Sequence, residues 1–407
     1  MDMSVDMSAT FDPMADYPWL SFRPPDLSRA PYSLWMKLGE IGALIDQISA
    51  VPLIPSYAEE MHKVFLAKGA LATTAIEGNT LTEAQARQQL DGKLDLPPSQ
   101  EYLAKEIANV LGALNGILDA CRRHEPQALS LGRVCAFNGA VLAGLELADE
   151  DVVPGQIRHD SRGVGPYKAP PPDTCEYLLD RLCGWLEGPD LANPALDSVT
   201  LGFLKAVIAH LYLVWIHPFG DGNGRTARLI EFQILLNAGV PSPSAQLLSN
   251  HYNLTRMNYY LWLDKARRAG DGLTGFLLYA AEGFVDGLKT QIEMIRLQQW
   301  ELAWQSYVRE VMASDRTPKG HRQQEVMRHL GPAAHASEIP LLNPSLAAIY
   351  AGVSPKTLNR DLETLTRKGL LLRDDQGRYL PNRERLLAFF PFVVEPENSV
   401  TDTTPRN

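Results

Sequence analysis

The stretch that most limits how this chain can fold joins two very different neighbours. Residues 204–216, LKAVIAHLYLVWI, are almost wholly apolar, and residues 217–228, HPFGDGNGRTAR, then bring three glycines, one histidine, one aspartate and two arginines. Apolar spacing predicts one helix over 198–216 and another over 224–238, closed by Gly239 where glycine commonly ends a helix. The glycine-rich segment is therefore a joint between helices. Gly222, Asn223 and Gly224 run straight into the second helix, so backbone N–H groups and the positive end of its dipole face outward together. That geometry binds anions. Glycine lets a phosphate approach the backbone closely, and Arg225 and Arg228, three apart on one face, can meet further oxygens of a polyphosphate. Thr226 lies in the same turn and is grouped with these nucleotide-binding candidates. Asp221 is a hard oxygen ligand suited to magnesium shared with phosphates. His217, mostly neutral at cellular pH, can accept a proton from an attacking hydroxyl. Phe219 has no such chemistry and is expected to anchor the joint in the core.

Each residue alone has a plain structural reading: a histidine or aspartate in a turn, two arginines on a solvated face. Their combination at this spacing does not, because a structural turn has no use for a base, a metal ligand and two guanidinium groups at once. His210, on the apolar helix, is read as a satisfied core histidine.

With 407 residues, 45% hydrophobic, the chain can bury a large core. A net charge of −10 argues against a protein that coats nucleic acid. Cys121, Cys135, Cys175 and Cys183 are scattered without a CxxC pair, and the acidic start lacks the basic and apolar regions of a leader, which together suggest reduced thiols in a cytoplasm. No membrane span is expected. Helical periods dominate, so the class is mainly α. Residues 1–30, rich in proline and aspartate, read as a tail that wraps onto the body. Helices are predicted over about 31–50, 57–77, 82–92, 99–123 and 174–187, and again from 257 through roughly 314. Thr82 and Gln85 give the helix over 82–92 a capping-box signature. Residues 155–173, broken by glycine and proline, suggest a hairpin and loop. The divisions expected are a tail at 1–30, a helical region at 31–123, a core at 124–313, a linker-like SDRTPKG at 314–320, a compact unit at 321–390 and a tail at 391–407.

The stretch at 217–228 matches the Fic family motif, H-x-F-x-[D/E]-G-N-G-R-x-x-R, at every specified position. The chain thus resembles mostly helical enzymes that transfer AMP from ATP to a protein hydroxyl. The resemblance implies His217 as general base, Asp221 as magnesium ligand, Asn223 and Gly224 in the anion hole, and Arg225 and Arg228 on the outer phosphates. Gly220, where the family often has a larger residue, is expected to loosen the loop slightly. Residues Gly163, Val164, Gly165, Pro166 and Tyr167 resemble the family's flap, which aligns the target segment, and Tyr259 with Tyr260 resembles the tyrosine pair that lines the nucleotide pocket. Upstream, TTAIEGN (73–79) is similar to the family's inhibitory motif, [S/T]-x-x-x-E-[G/N], through Thr73, Glu77 and Gly78. Glu77 could then pair with Arg228 and take it from the γ-phosphate. The implied function is a self-inhibited adenylyltransferase that uses ATP with Mg2+ and modifies a Ser, Thr or Tyr hydroxyl. A variant that removes AMP shares most of these residues and stays open.

The last unit, through SLAAIYAGVSPKTLNRDLETLTRKGLLLRDDQGRYL, reads as helix, turn, helix and two short strands, an order that resembles a winged helix-turn-helix. Lys356, Thr357, Asn359 and Arg360 would lie early on the recognition helix. Asp361, Glu363, Asp374 and Asp375 dilute that charge, so a protein contact or a homodimer is favoured over DNA. The rival function is a transcriptional regulator that only senses a nucleotide. The intact His217 favours the enzyme, because sensing needs no base.

Overall fold

The computed structural model describes residues 17–125, 128–164, 167–268 and 272–389. They fall into two compact units that divide between Glu293 and Met294. The first contains helices α1 (Tyr32–Ala50), α2 (Pro55–Ala75), α3 (Glu83–Leu90), α4 (Glu101–Arg122) and α5 (Leu131–Leu142). A hairpin follows, β1 (Gly163–Val164) and β2 (Tyr167–Lys168), paired antiparallel with Gly163 opposite Lys168. Next come α6 (Pro172–Glu187), α7 (Ser198–Ile216), α8 (Asn223–Asn237), α9 (Ser242–Ala245), α10 (Leu247–Leu254), α11 (Arg256–Arg268) and α12 (Gly272–Met312), the last of which runs past the division.

Helix α7 starts where Asp197 accepts the Thr200 N–H at 2.8 Å. By length and composition it could cross a membrane, with mean hydropathy 1.8, but 83% of that window is buried inside the protein. An all-round apolar helix of this kind belongs in the middle of a helical body. It packs along α8, while α1 and α6 cover it and α2, α4 and α5 lie against α8. Gly202 permits the close crossing, since a Cβ there would stand 2.2 Å from the Ala238 methyl. The expected capping box of α3 is present, with Thr82 and Gln85 bonding reciprocally.

Two expectations change. Helix α5 lies where no helix was predicted; Ser130 caps it, and Val134, Phe137, Val141 and Leu142 are buried on one face. The division expected at 123/124 is absent, because α2 and α4 pack directly on α8 within one unit. The N-terminal segment, by contrast, wraps onto the body over residues 17–22 as expected: Leu20 is fully buried, and the Phe22 N–H donates to the Tyr212 hydroxyl at 3.2 Å.

The second unit begins within α12 rather than after 314–320. Trp304, Val308 and Met312 share its core with Val326, Leu346, Leu358, Leu362 and Leu365. The SDRTPKG segment is thus a turn inside that unit, closed by Thr317, which caps α13 (Pro318–His329). Helices α14 (Pro344–Tyr350) and α15 (Pro355–Arg367) follow, then β3 (Leu371–Arg373) and β4 (Tyr379–Pro381), an antiparallel pair. Ala334 bridges to Tyr379 beside it. The tail expected at 391–407 lies outside the described residues.

Candidate active site

The joint between α7 and α8 is held from several sides. His217 ends α7 with φ 49°, left-handed and uncommon for a residue other than glycine. Its carbonyl accepts the Arg158 Nε–H at 2.7 Å, and the Arg158 N–H donates to the Pro218 carbonyl at 2.9 Å. Phe219 is fully buried, the anchor expected of it. The Asn223 side chain closes the loop, accepting the Phe219 N–H at 3.0 Å and donating to its carbonyl at 2.8 Å. The Asn223 side-chain amide is thus spent on Phe219, leaving only its backbone to face a ligand. Gly222 turns left-handed at φ 77° to start α8. Beneath it, buried Asn138 donates to the Asp221 carbonyl and accepts the Gly155 N–H, both at 2.9 Å.

Gly220 does not loosen this loop. A Cβ there would meet a Val152 methyl at 2.5 Å, so glycine makes room for Val152. Thr226, grouped with the nucleotide-binding residues from sequence, is fully buried and faces Asn138, whose Nδ2 lies 3.4 Å from its hydroxyl. Its side chain points into the core, which corrects that assignment.

The charged groups converge above the loop. Asp221 accepts from Arg225 Nη2 at 2.9 Å, and Arg225 Nη1 lies 3.2 Å from Glu106 Oε1. Glu106 also accepts from Asn79 Nδ2 at 2.9 Å, which ties the turn after α2 to this arginine. Arg228, with a side chain only 1% exposed, donates through Nη2 to Glu77 Oε1 at 2.6 Å and to the Thr73 carbonyl at 2.8 Å. Glu77 and Arg228 are thus brought together as the sequence suggests, with Glu77 just beyond the end of α2 and Gly78 at φ 111° completing the turn. Thr73 contributes its carbonyl. Burial resists ionisation of Glu77, but Arg228, aided by Arg225 and Arg256, holds its carboxyl below the usual range. A Cβ on Gly224 would stand 2.2 Å from Glu77 Oε1, so this glycine is what admits the carboxylate. Arg228 Nε and Nη1 and Arg225 Nε have no hydrogen-bond partner among the described residues. Burial also pushes the His217 imidazole below its ordinary pKa, although the Val214 carbonyl and Glu77 pull the other way.

A cavity of about 500 Å³ opens here, bordered by His217, Asn223, Gly224, Glu77, Tyr167, Tyr259 and Tyr260. Trp215, Leu263, Asp264 and Arg267, which also line it with Ile76 and Val214, carried no sequence signal. Tyr259 points its hydroxyl to His210 Nε2 at 2.8 Å, and His210 Nδ1 lies 3.1 Å from Glu231 without a hydrogen bond, so His210 is the core histidine expected but is satisfied at Nε2 only. Tyr260 donates to the Ile76 carbonyl at 3.3 Å. In the hairpin, Tyr167 is buried, donates to the Trp215 carbonyl and carries Arg267 5.0 Å above its ring. It anchors the hairpin over the cavity. Gly163 pairs with Lys168 and Val164 with Tyr167, whereas Gly165 and Pro166 lie outside the described residues.

Residues 128–235 match the model of the Fic/DOC family. The protein adenylyltransferase fic-1 of Caenorhabditis briggsae is 32% identical over 213 residues, which is 52% of this chain and 38% of that one. The match to its Caenorhabditis elegans counterpart is 30% over 210 residues, with the same shares. The chain thus spans well under half the length of these curated relatives. Among solved structures, a Fic family protein from Desulfovibrio desulfuricans G20 superposes with a TM-score of 0.54 at 21% identity, covering 88% of this chain and 98% of that one.

Proposed function

From the match of residues 128–235 to the Fic/DOC family model we propose that the chain is a self-inhibited adenylyltransferase, moving AMP from ATP to a Ser, Thr or Tyr hydroxyl of another protein. The hydroxyl oxygen attacks the α-phosphorus, His217 takes its proton, and pyrophosphate leaves. A depressed pKa suits that base, because the imidazole stays neutral and receptive in a buried site. The N-terminus of α8 and the unfilled donors of Arg225 and Arg228 supply positive potential where phosphate charge must be held. Tyr259 and Tyr260 offer faces for the base, and Tyr167 of the hairpin borders the same cavity, which supports a role for the hairpin in aligning a target segment.

Asp221 fits a magnesium site of the substrate-dependent kind. Its side chain is 47% exposed at the start of α8, and no group of three or more His, Cys, Asp or Glu forms a protein cage among the described residues. Magnesium tolerates this, since it keeps waters and phosphate oxygens in its shell. When bound, the ion would offset phosphate charge; Asp221 would exchange Arg225 for it.

The observation that carries self-inhibition is the position of Arg228, held between the Thr73 carbonyl and Glu77, a residue that lines the same cavity as His217. With Glu77 in place, the guanidinium meets a carboxylate instead of a terminal phosphate. ATP labelled at the α or the γ position, incubated with the full chain and lysate, tests the reading. Label should pass to protein from the α position only, should rise in Glu77→Gly, and should fall to background in Glu77→Gly combined with His217→Ala. Transfer that survives His217→Ala would overturn the assignment of the base.

A further inference from the structure

Helix α15 of the second unit has two unlike faces. Leu358, Asp361, Leu362 and Leu365 are buried, while Lys356, Asn359, Arg360, Glu363 and Arg367 are exposed along the other side at three- and four-residue steps. Two of the acids that argued against a nucleic-acid ligand do not dilute this face. Asp361 is 1% exposed and inward, accepting from Arg322 Nε at 2.9 Å, Gln323 Nε2 at 3.2 Å and the Tyr350 hydroxyl at 3.2 Å. Asp374 is consumed by its own turn, accepting the Arg378 backbone N–H and its Nε, both at 2.8 Å. Residues 294–389 carry fourteen Lys and Arg against ten Asp and Glu, within a chain whose net charge is −10. These residues thus carry a balance of +4, against −14 over the rest of the chain, although most of the Lys and Arg lie elsewhere.

We propose that the second unit binds double-stranded DNA, with the exposed face of α15 in the major groove. A helix fits that groove, and the side chains presented are those that read base edges and phosphates: Asn pairs with adenine, Arg with guanine, Glu accepts from cytosine, and Lys meets the backbone. Lys356 and Arg360 make no ion pair with any described residue, so both are free for this. The Asp374–Arg378 turn between β3 and β4 leaves Arg373 exposed nearby in sequence, a further phosphate donor. An acidic protein would also meet the charge, but it would have no need of the amide of Asn359 between two cations. This inference does not depend on the chemistry proposed for His217.

The test uses the full chain and a pool of short randomised DNA duplexes, with selection followed by anisotropy titration at rising salt. A recurrent sequence should be enriched, and affinity should fall steeply with salt. Lys356→Ala with Arg360→Ala should weaken binding by about tenfold or more and reduce the salt slope by about two. Asn359→Ala should relax preference at one position and leave the slope unchanged. Because these side chains are exposed, melting curves should stay at the parent value, so that loss of binding is not loss of fold. Absence of binding at low salt, binding untouched by the double change, or equal retention on heparin with no enriched sequence would each overturn the proposal.

Discussion

Replacing Glu77 with Ala tests the arginine pair without relying on catalysis. In the structure the Glu77 carboxylate meets Arg228 at 2.6 Å, with side chains 33% and 1% exposed. A hydrogen bond between charged groups is worth about 1.5–3 kcal/mol, and the Thr73 carbonyl still holds Arg228 afterwards, so a loss of about 2 kcal/mol is expected. For a unit of this size that lowers the apparent Tm by roughly 4–8 °C. ATP changes the comparison. In the variant, phosphate oxygens can take the place of the lost carboxylate, whereas in the parent they must compete with it. A ligand at one hundred times its Kd stabilises by about 2.7 kcal/mol. The Tm of Glu77→Ala should therefore rise more steeply with ATP than that of the parent and converge on it at saturation, read by thermal shift over a nucleotide series. A helix-end residue with only a structural role predicts two parallel curves with a fixed offset. Parallel curves would refute the argument.

Three further expectations follow from single contacts. Burial lowers the His217 pKa, so the acid limb of kcat/KM should fall below about 6.5, and the stability this residue confers should be present above that value and decline as pH falls through it, because the unfolded chain protonates first. Glu77 pulls that pKa up, so Glu77→Ala should move the limb further down; a midpoint at or above 6.5, or an upward shift, contradicts the account. Glu106→Ala removes a partner of Arg225 and of Asn79, and KM for ATP should rise with a smaller change in kcat; an unchanged KM would show that Glu106 does not position the arginine. Gly220→Ala should cost about 1–3 kcal/mol by overpacking against Val152, and Val152→Ala in the same chain should recover most of it. Additive losses in chemical denaturation would exclude that contact as the cause.

The joint between α7 and α8 was legible because its residues lie within one short stretch, where spacing alone places them at the end of one helix and the start of the next. Glu77 was legible only through its motif, since nothing local links it to an arginine 151 positions away. Asn138, Arg158 and Glu106 were not legible. Each is a lone polar residue, and its meaning arises from contacts 83, 59 and 119 positions distant. Thr226 was misread in the other direction, because proximity in sequence to Arg225 says nothing about which face of α8 it takes. Asp361 could have been placed correctly. It shares the face of Leu358, Leu362 and Leu365, and a charge on an apolar face signals a buried partner. Helix α5 escaped because its glycines and alanine dilute the apolar stripe that tertiary packing nonetheless buries.

Holding a fully buried arginine by a carboxylate that must leave poses an energetic difficulty, since stripping a buried charge of its partner typically costs about 3–5 kcal/mol. The buried groups around Arg228 reduce it. Glu231, 1% exposed, lies one helical turn beyond Arg228 on α8 and adds to the field that keeps the guanidinium charged. Its own carboxylate is held by the Tyr252 hydroxyl at 2.9 Å and lies 3.1 Å from His210 Nδ1, and His210 is held in turn by Tyr259 at 2.8 Å. Arg228 thus keeps a fixed anion behind it and the Thr73 carbonyl beside it whether or not Glu77 is present. That is why a loss of about 2 kcal/mol, rather than the larger figure, is expected on removing Glu77. On the proposed reading, the remaining gap is small enough for the phosphates of a bound nucleotide to close, so that one arginine can be held by the protein's carboxylate or by the substrate at comparable energy.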